Sequence, residues 1–188
     1  MKITDLEIKG SWLLESQVFN DDRGTFSEWF KSEAFEKQTG ENFAPAQANV
    51  STSKFGTLRG VHFSLAKSGQ AKLIMCSAGE VQDVIVDLRE GSPTFGHHQS
   101  IRLEQQSGKS LFLSKGLGHG FLSLADSSTV VYLVSSKYSP TEEFGVNPLD
   151  PDLNIEWWLD QSIFNLSEKD SKAGSLQALA EANRLPRF

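Results

Sequence analysis

The stretch "AKLIMCSAGEVQDVIVDLR", residues 71–89, decides how this chain folds. Two runs rich in Leu, Ile and Val meet at Ala78–Gly79–Glu80, and their composition reads as two β-strands joined by a tight turn, a hairpin. Working outward, "SIRLE" (100–104), "SLFLS" (110–114) and "TVVYLVSSKY" (129–138) follow at short intervals, separated by turns rich in Ser, Gly and Asp. Many short strands spaced this way predict an all-β fold, either a barrel or a double-sheet jelly roll. Helix signals lie towards the ends. "KSEAFEKQTG" (31–40) closes on Gly40, and in "SEKDSKAGSLQALAEANRL" (167–185) Ala173, Leu176, Leu179 and Ala180 recur at helical spacing, giving one apolar face. No linker, repeat or low-complexity tract divides the chain, so residues 1–188 are expected to form a single domain.

A chain of 188 residues can bury one sizeable core. With 18 Lys and Arg against 24 Asp and Glu, the net charge is −6, and the basic footprint of a nucleic-acid binder is absent. An anionic ligand would need a local cationic pocket. There is no apolar run long enough for a membrane-spanning helix, and the opening "MKITDLEIKGSW" has no signal-peptide core. Cys76 is the only cysteine, which excludes an internal disulfide framework and fits a reducing, cytoplasmic setting. "SGKS" (107–110) ends like a phosphate-binding P-loop, but that loop needs glycine where the chain has Leu103. "GLGHG" (116–120) is not the dinucleotide fingerprint and follows no βα pattern. Neither ATP nor a nicotinamide cofactor is expected.

The histidines carry more information. In "GTLRGVHFSL" (56–65), Gly56, five residues and His62 match the opening of the first cupin motif, but Ser64 stands where a second histidine would bind metal. Gly108, Ser114, Gly116 and His119 fit the spacing of the second cupin motif. Together the two half-motifs resemble the cupin superfamily, which implies a small double-sheet jelly-roll barrel with the site in its mouth and short peripheral helices. His62 and His119 alone do not make an ordinary metal site, so no metal is expected. His97 and His98 are adjacent, would face opposite sides of a strand, and are read as surface residues.

Five stretches fall in one order: "DDRGTFSEWF" (21–30), "QANVSTSKFGTLRGVHF" (47–63), "QAKLIMCSAGEVQDVIVDLREGSPTFG" (70–96), "GLGHGF" (116–121) and "YLVSSKYSP" (132–140). They closely resemble the dTDP-4-dehydrorhamnose 3,5-epimerase family, metal-free cupins of deoxysugar synthesis. The resemblance implies cofactor-free inversion at C3 and C5 of a nucleotide-linked 4-keto-6-deoxyhexose. The C4 carbonyl acidifies both hydrogens, so the reaction needs a base, a group to hold the enolate, and an acid on the opposite face. The resemblance points to His62 as base, and an imidazole with a pKa near ~6.5 suits that task. It places a dyad partner at Asp170, although "SEKD" (167–170) also reads as a capping box from Ser167, and Asp83 is a rival orienter. Lys72 is implied as the enolate holder, Tyr132 as the acid and Tyr138 as a stacking aromatic. Arg23 and Arg59 would clamp the diphosphate. Glu28, Gln47 and Asn49 would recognise base, phosphate or sugar, Phe26 would pack on the base, and His119 would either contact substrate or bond inside the barrel.

The chain departs from the family pattern at Ser64, Ser114, Leu117 and Gly118. These positions leave open a single-centre epimerase acting on another nucleotide sugar, such as a GDP- or CDP-linked one. A cupin that binds a sugar nucleotide without turning it over is the reading from a different class. The resemblance further implies a homodimer in which an N-terminal strand near Ser11–Phe19 crosses to the partner, bringing Arg23 and Phe26 to the neighbour's site.

Overall fold

The computed structural model describes residues 1–67 and 69–188. Two antiparallel sheets face each other. The first is ordered β1 (Lys2–Asp5), β2 (Ser11–Glu15), β10 (Lys109–Leu113), β7 (Lys72–Ala78), β12 (Ser127–Val134), β5 (Gln47–Lys54). The second runs β13 (Glu143–Gly145), β6 (Leu58–Ser64), β11 (Leu117–Ser123), β8 (Glu80–Asp87), β9 (His98–Glu104). A separate ribbon pairs β3 (Val18–Asp21) with β4 (Gly24–Ser27). This is the double-sheet arrangement of a cupin-type jelly roll.

The two runs of residues 71–89 are strands, but they do not form a hairpin. β7 pairs with β10 and β12, whereas β8 pairs with β11 and β9 in the opposite sheet. The chain crosses between sheets at Gly79, which adopts φ +71°, and a Cβ there would lie 2.4 Å from the Ser127 carbonyl oxygen. Ser128 Oγ then donates to the Glu80 carbonyl at 2.7 Å, tying the corner to the start of β12. The physical reason lies in burial. β8 is buried at every position from Val81 to Asp87, so it needs cover on both faces and takes an interior place in the second sheet.

Among the described residues, three apolar clusters fill the layers. Ile74, Cys76, Val81, Ile85, Leu111, Phe121 and Val130 pack between the sheets. Outside the second sheet, Val61, Phe63, Val84 and Val86 are covered by Leu153, Leu176 and Leu185 of the C-terminal region. Outside the first, Trp12, Leu14, Leu73 and Phe112 meet Phe35 of α1 (Ser32–Thr39), the helix expected to close on Gly40, which is its left-handed cap at φ +76°.

The second expected helix is divided. α2 (Glu168–Ser171) and α3 (Leu176–Glu181) each have their own serine N-cap, Ser167 and Ser175. Between them Gly174 forms an isolated bridge with Val146 beyond β13. The helical spacing of apolar residues holds within α3, where Leu176 is buried, but a second cap at Ser175 interrupts it. Among the described residues, no helix is long and apolar enough to cross a membrane.

Candidate active site

Side chains alternate across a strand, so parity decides which of the candidate residues meet. On β7, Ile74 and Cys76 point between the sheets, and Lys72 shares their parity. On β12, Tyr132 shares the parity of Val130. On β6, Val61 and Phe63 point outward, which turns His62 inward. Register completes the assembly. Val134 lies between Lys72 and Gln47, and Tyr132 between Ile74 and Asn49, so the β12 neighbours on both sides share one face. Across the barrel, His62 is opposite His119 on one side and Gly145 on the other. The strands β6 and β11 approach closely beside His62: a Cβ on Gly60, at φ +109°, would sit 2.6 Å from the Gly120 Cα.

The result is a pocket of about 320 Å³ lined by polar residues including His62, Gln70, Lys72, Tyr132 and Glu143. A second pocket of about 320 Å³ adjoins it, lined by Arg59, Asn165, Lys169 and Asp170 among others. His62 and Lys169 line both. His62 therefore stands at the boundary between one chamber with Lys72 and Tyr132 and another with two cations. That second chamber sets two cations beside the one Asp170 carboxylate.

His62 Nε2 lies 2.6 Å from Asp170 Oδ1. Burial opposes ionisation of Asp170, yet the bonds from His62, Ser167 and the Gly60 backbone outweigh it and hold the carboxyl below its ordinary pKa. An ionised carboxylate only accepts, so Nε2–H donates and the Nδ1 lone pair is left free. The capping reading also holds in part: the backbone N–H of Asp170 donates to Ser167 Oγ at 3.0 Å, while the carboxylate turns to His62. Asp83 does not orient His62. Its two carboxylate oxygens lie 3.0 and 2.9 Å from His119 Nε2, so the buried His119 makes the bond inside the barrel that was one of its two expected placements.

Lys72 is buried and its Nζ donates to the His62 carbonyl at 3.3 Å. Burial pulls its pKa down to about 8, against the opposing pull of Glu143 and Asp83. At neutral pH the ammonium still predominates. Burial pushes the Tyr132 phenol up, Arg59 draws it down and Glu143 raises it further, so the phenol keeps its proton. A protonated phenol and a buried ammonium thus share one pocket with an imidazole whose free nitrogen is a base.

The remaining expected residues divide into two groups. Gln47, Asn49 and Tyr138 line the first pocket: Gln47 Nε2 donates to Asn49 Oδ1 at 2.7 Å, and its Oε1 accepts from the Tyr138 backbone N–H at 2.9 Å. Arg59, exposed in the second pocket, donates from Nε to Ser53 Oγ at 3.0 Å. Arg23, Phe26 and Glu28 line neither pocket. Arg23 pairs with Asp21 at 2.6 Å on the ribbon, Glu28 pairs with Lys31 at 2.6 Å, and Phe26 is 66% exposed beside Phe19.

Sequence reasoning passed over Gln70, Glu143 and Lys169, all of which line the first pocket. Gln70 stands two residues before Lys72, at the head of the stretch 70–96, and that proximity is the available signal. Glu143 opposes Ser64 in the β13–β6 register, a pairing that no local pattern reveals. Among the described residues, no three His, Cys, Asp or Glu side chains group as metal ligands.

Residues 5–178 match the family model described as dTDP-4-dehydrorhamnose 3,5-epimerase. A protein of that name from Mycobacterium tuberculosis (strain H37Rv) is 40% identical, the alignment covering 100% of this chain and 94% of the relative. A dTDP-4-dehydro-6-deoxyglucose 3-epimerase of Streptomyces bikiniensis is 43% identical over 97% of this chain and 93% of its own length. Among solved structures, a 4-keto-6-deoxy sugar epimerase from the novobiocin gene cluster of Streptomyces spheroides superposes with a TM-score of 0.97 at 40% identity, covering 100% of this chain and 94% of that one. The dTDP-6-deoxy-D-glucose-3,5-epimerase of Legionella pneumophila, solved with dTDP-4-keto-L-rhamnose, superposes with a TM-score of 0.93 at 36% identity, covering 100% and 98%.

Proposed function

Because the chain belongs to the dTDP-4-dehydrorhamnose 3,5-epimerase family, we propose that it inverts C3 and C5 of dTDP-4-dehydro-6-deoxy-D-glucose to give dTDP-4-dehydro-L-rhamnose. The observation that carries this reading is the His62–Asp170 pair at 2.6 Å, placed between a pocket holding Lys72 and Tyr132 and a second pocket holding Arg59 and Lys169. The sugar would occupy the first chamber and the diphosphate the second. His62 Nδ1 removes the proton next to the C4 carbonyl, and Asp170 stabilises the imidazolium that forms. Lys72 holds the enolate oxygen, and Tyr132 returns a proton from the opposite face; His62 then gives its proton to water and the Tyr132 phenolate takes one from water before the next inversion. Each inversion is redox-neutral, so the cycle needs no electron carrier.

Tyr138, 59% exposed at the rim, would stack on the nucleotide base, with Gln47 and Asn49 bonding beside it. Arg23 in the turn and Phe26 in β4 of the ribbon, with Glu28 just after it, line neither pocket, and the ribbon joins neither sheet, which supports their serving the site of a second copy in a homodimer.

The 43% identity to a 3-epimerase favours one second reading, inversion at C3 alone. Proton NMR with dTDP-4-dehydro-6-deoxy-D-glucose in deuterium oxide separates the two. Deuterium entering both C3 and C5 is the expected result, and entry at C3 alone selects the second reading. In His62→Asn both exchanges should fall by about 10²–10⁴-fold, as expected on loss of an acid–base residue, while the folded circular dichroism is kept. Wild-type-like exchange in that variant would remove His62 from the mechanism.

A further inference from the structure

Gln70 is buried, with 7% of its surface exposed, yet it does no part of the chemistry proposed above. Its single amide nitrogen meets three acceptors: Glu143 Oε1 at 3.1 Å, Ser136 Oγ at 3.3 Å and the Ser136 carbonyl at 3.4 Å. These contacts tie together three chain segments. Gln70 precedes Lys72 by two residues, Ser136 follows Tyr132 by four, and Glu143 opens β13 beside the His62 strand. Glu143 is the one carboxylate lining this pocket among the described residues, and Gln70 is the one side chain that bonds it.

We propose that Gln70 is a positioning residue, which fixes the Glu143 carboxylate inside the pocket so that its charge keeps Lys72 protonated and Tyr132 neutral. The choice of an amide matters. A lysine or arginine at 70 would hold Glu143 equally well but cancel its charge, whereas an amide donates and leaves the carboxylate ionised. No ion pair forms between Glu143 and Lys72 within 4.0 Å, so the influence is through space and depends on where the carboxylate is held. The other groups facing Lys72 are Asp83 from β8, itself bonded to His119 of β11, together with His62 of β6, Tyr132 of β12 and Lys169 of α2. None of these carries a negative charge except Asp83, which His119 already engages. Released from Gln70, Glu143 would turn to water, and Lys72 would lose its proton at lower pH. The electrostatic part of this inference stands on geometry, and its catalytic consequence rests on the function proposed above.

Titration of Lys72 by nitrogen-15 NMR in the unliganded protein tests it without turnover. In Gln70→Leu the Lys72 pKa should fall by about half a unit or more, in the same direction as in Glu143→Gln. The double variant should match Glu143→Gln alone, because without the charge there is nothing left to position. Gln70→Asn, one methylene shorter, keeps a polar group under Ser136 and should give the same shift if Gln70→Leu folds poorly. Measured alongside, the alkaline limb of kcat should move to lower pH with the Lys72 titration. An unmoved Lys72 in both Gln70 variants, or additive shifts in the double variant, would overturn the proposal. A shifted Lys72 in a protein that shows no C3 or C5 exchange would instead leave the positioning intact and remove the epimerase reading.

Discussion

Asp170 serves two neighbours with different atoms, and the two duties can be separated. Its backbone N–H completes the Ser167 cap of α2, and its carboxylate orients His62. Asp170→Asn keeps the cap and the volume but offers an amide to Nε2, which destabilises the imidazolium and permits the other tautomer. The expected outcome is a fall in kcat of about 10²–10⁴-fold with KM little changed, by analogy with an asparagine in a catalytic triad. Ser167→Ala is the mirror experiment. It removes the cap at a cost of about 1 kcal/mol and should leave kcat within a few-fold of the parent. Steady-state kinetics paired with thermal melting read both variants. Equal losses of activity and stability in the two would mean that Asp170 acts only as a helix cap.

At the scale of elements, the corner at Gly79 joins the strand that carries Lys72 to the strand that carries Asp83. Its positive φ and the 2.4 Å approach to the Ser127 carbonyl leave no room for a side chain. Gly79→Val should cost more than about 2 kcal/mol in urea unfolding, since both strain and a backbone clash oppose it. Gly91, at φ +86° with nothing within 4 Å of an added Cβ, is the control, and Gly91→Ala should cost less. The corner also shows what the sequence could convey. The strands either side of Gly79 were legible from their composition and alternation, because strand identity is local. That they belong to different sheets was not, because it depends on what covers β8. The same division applies to the site. His62, Lys72 and Tyr132 stand in recognisable stretches and Asp170 in one that reads equally as a helix cap, whereas Glu143 and Gln70 enter only through register and a bond between residues 73 positions apart. Likewise the split between α2 and α3 turns on the Ser175 cap, which competed with an apolar spacing that ran through it.

For the whole molecule, the ribbon is the element that joins neither large sheet among the described residues. Phe19 is 48% exposed, Phe26 is 66% exposed, and the Arg23 side chain is 89% exposed. If the ribbon completes a second copy's site, sedimentation velocity should show a dimer, and Phe26→Asp should weaken dimerisation and turnover together. A stable monomer with full activity would overturn that arrangement. Lys72 has a consequence of the same reach. Its folded pKa of about 8 lies below the ordinary 10.5, so keeping it charged costs the fold about 3 kcal/mol. The unfolded chain holds that proton up to about 10.5, so this group makes stability rise between about pH 8 and 10.5 and weighs against the fold below that window. Lys72→Met should therefore raise the melting temperature at pH 7 and flatten the alkaline rise, while turnover collapses. A laboratory population selected for heat tolerance alone would be drawn to that substitution, and its hardiest survivors would be dead catalysts.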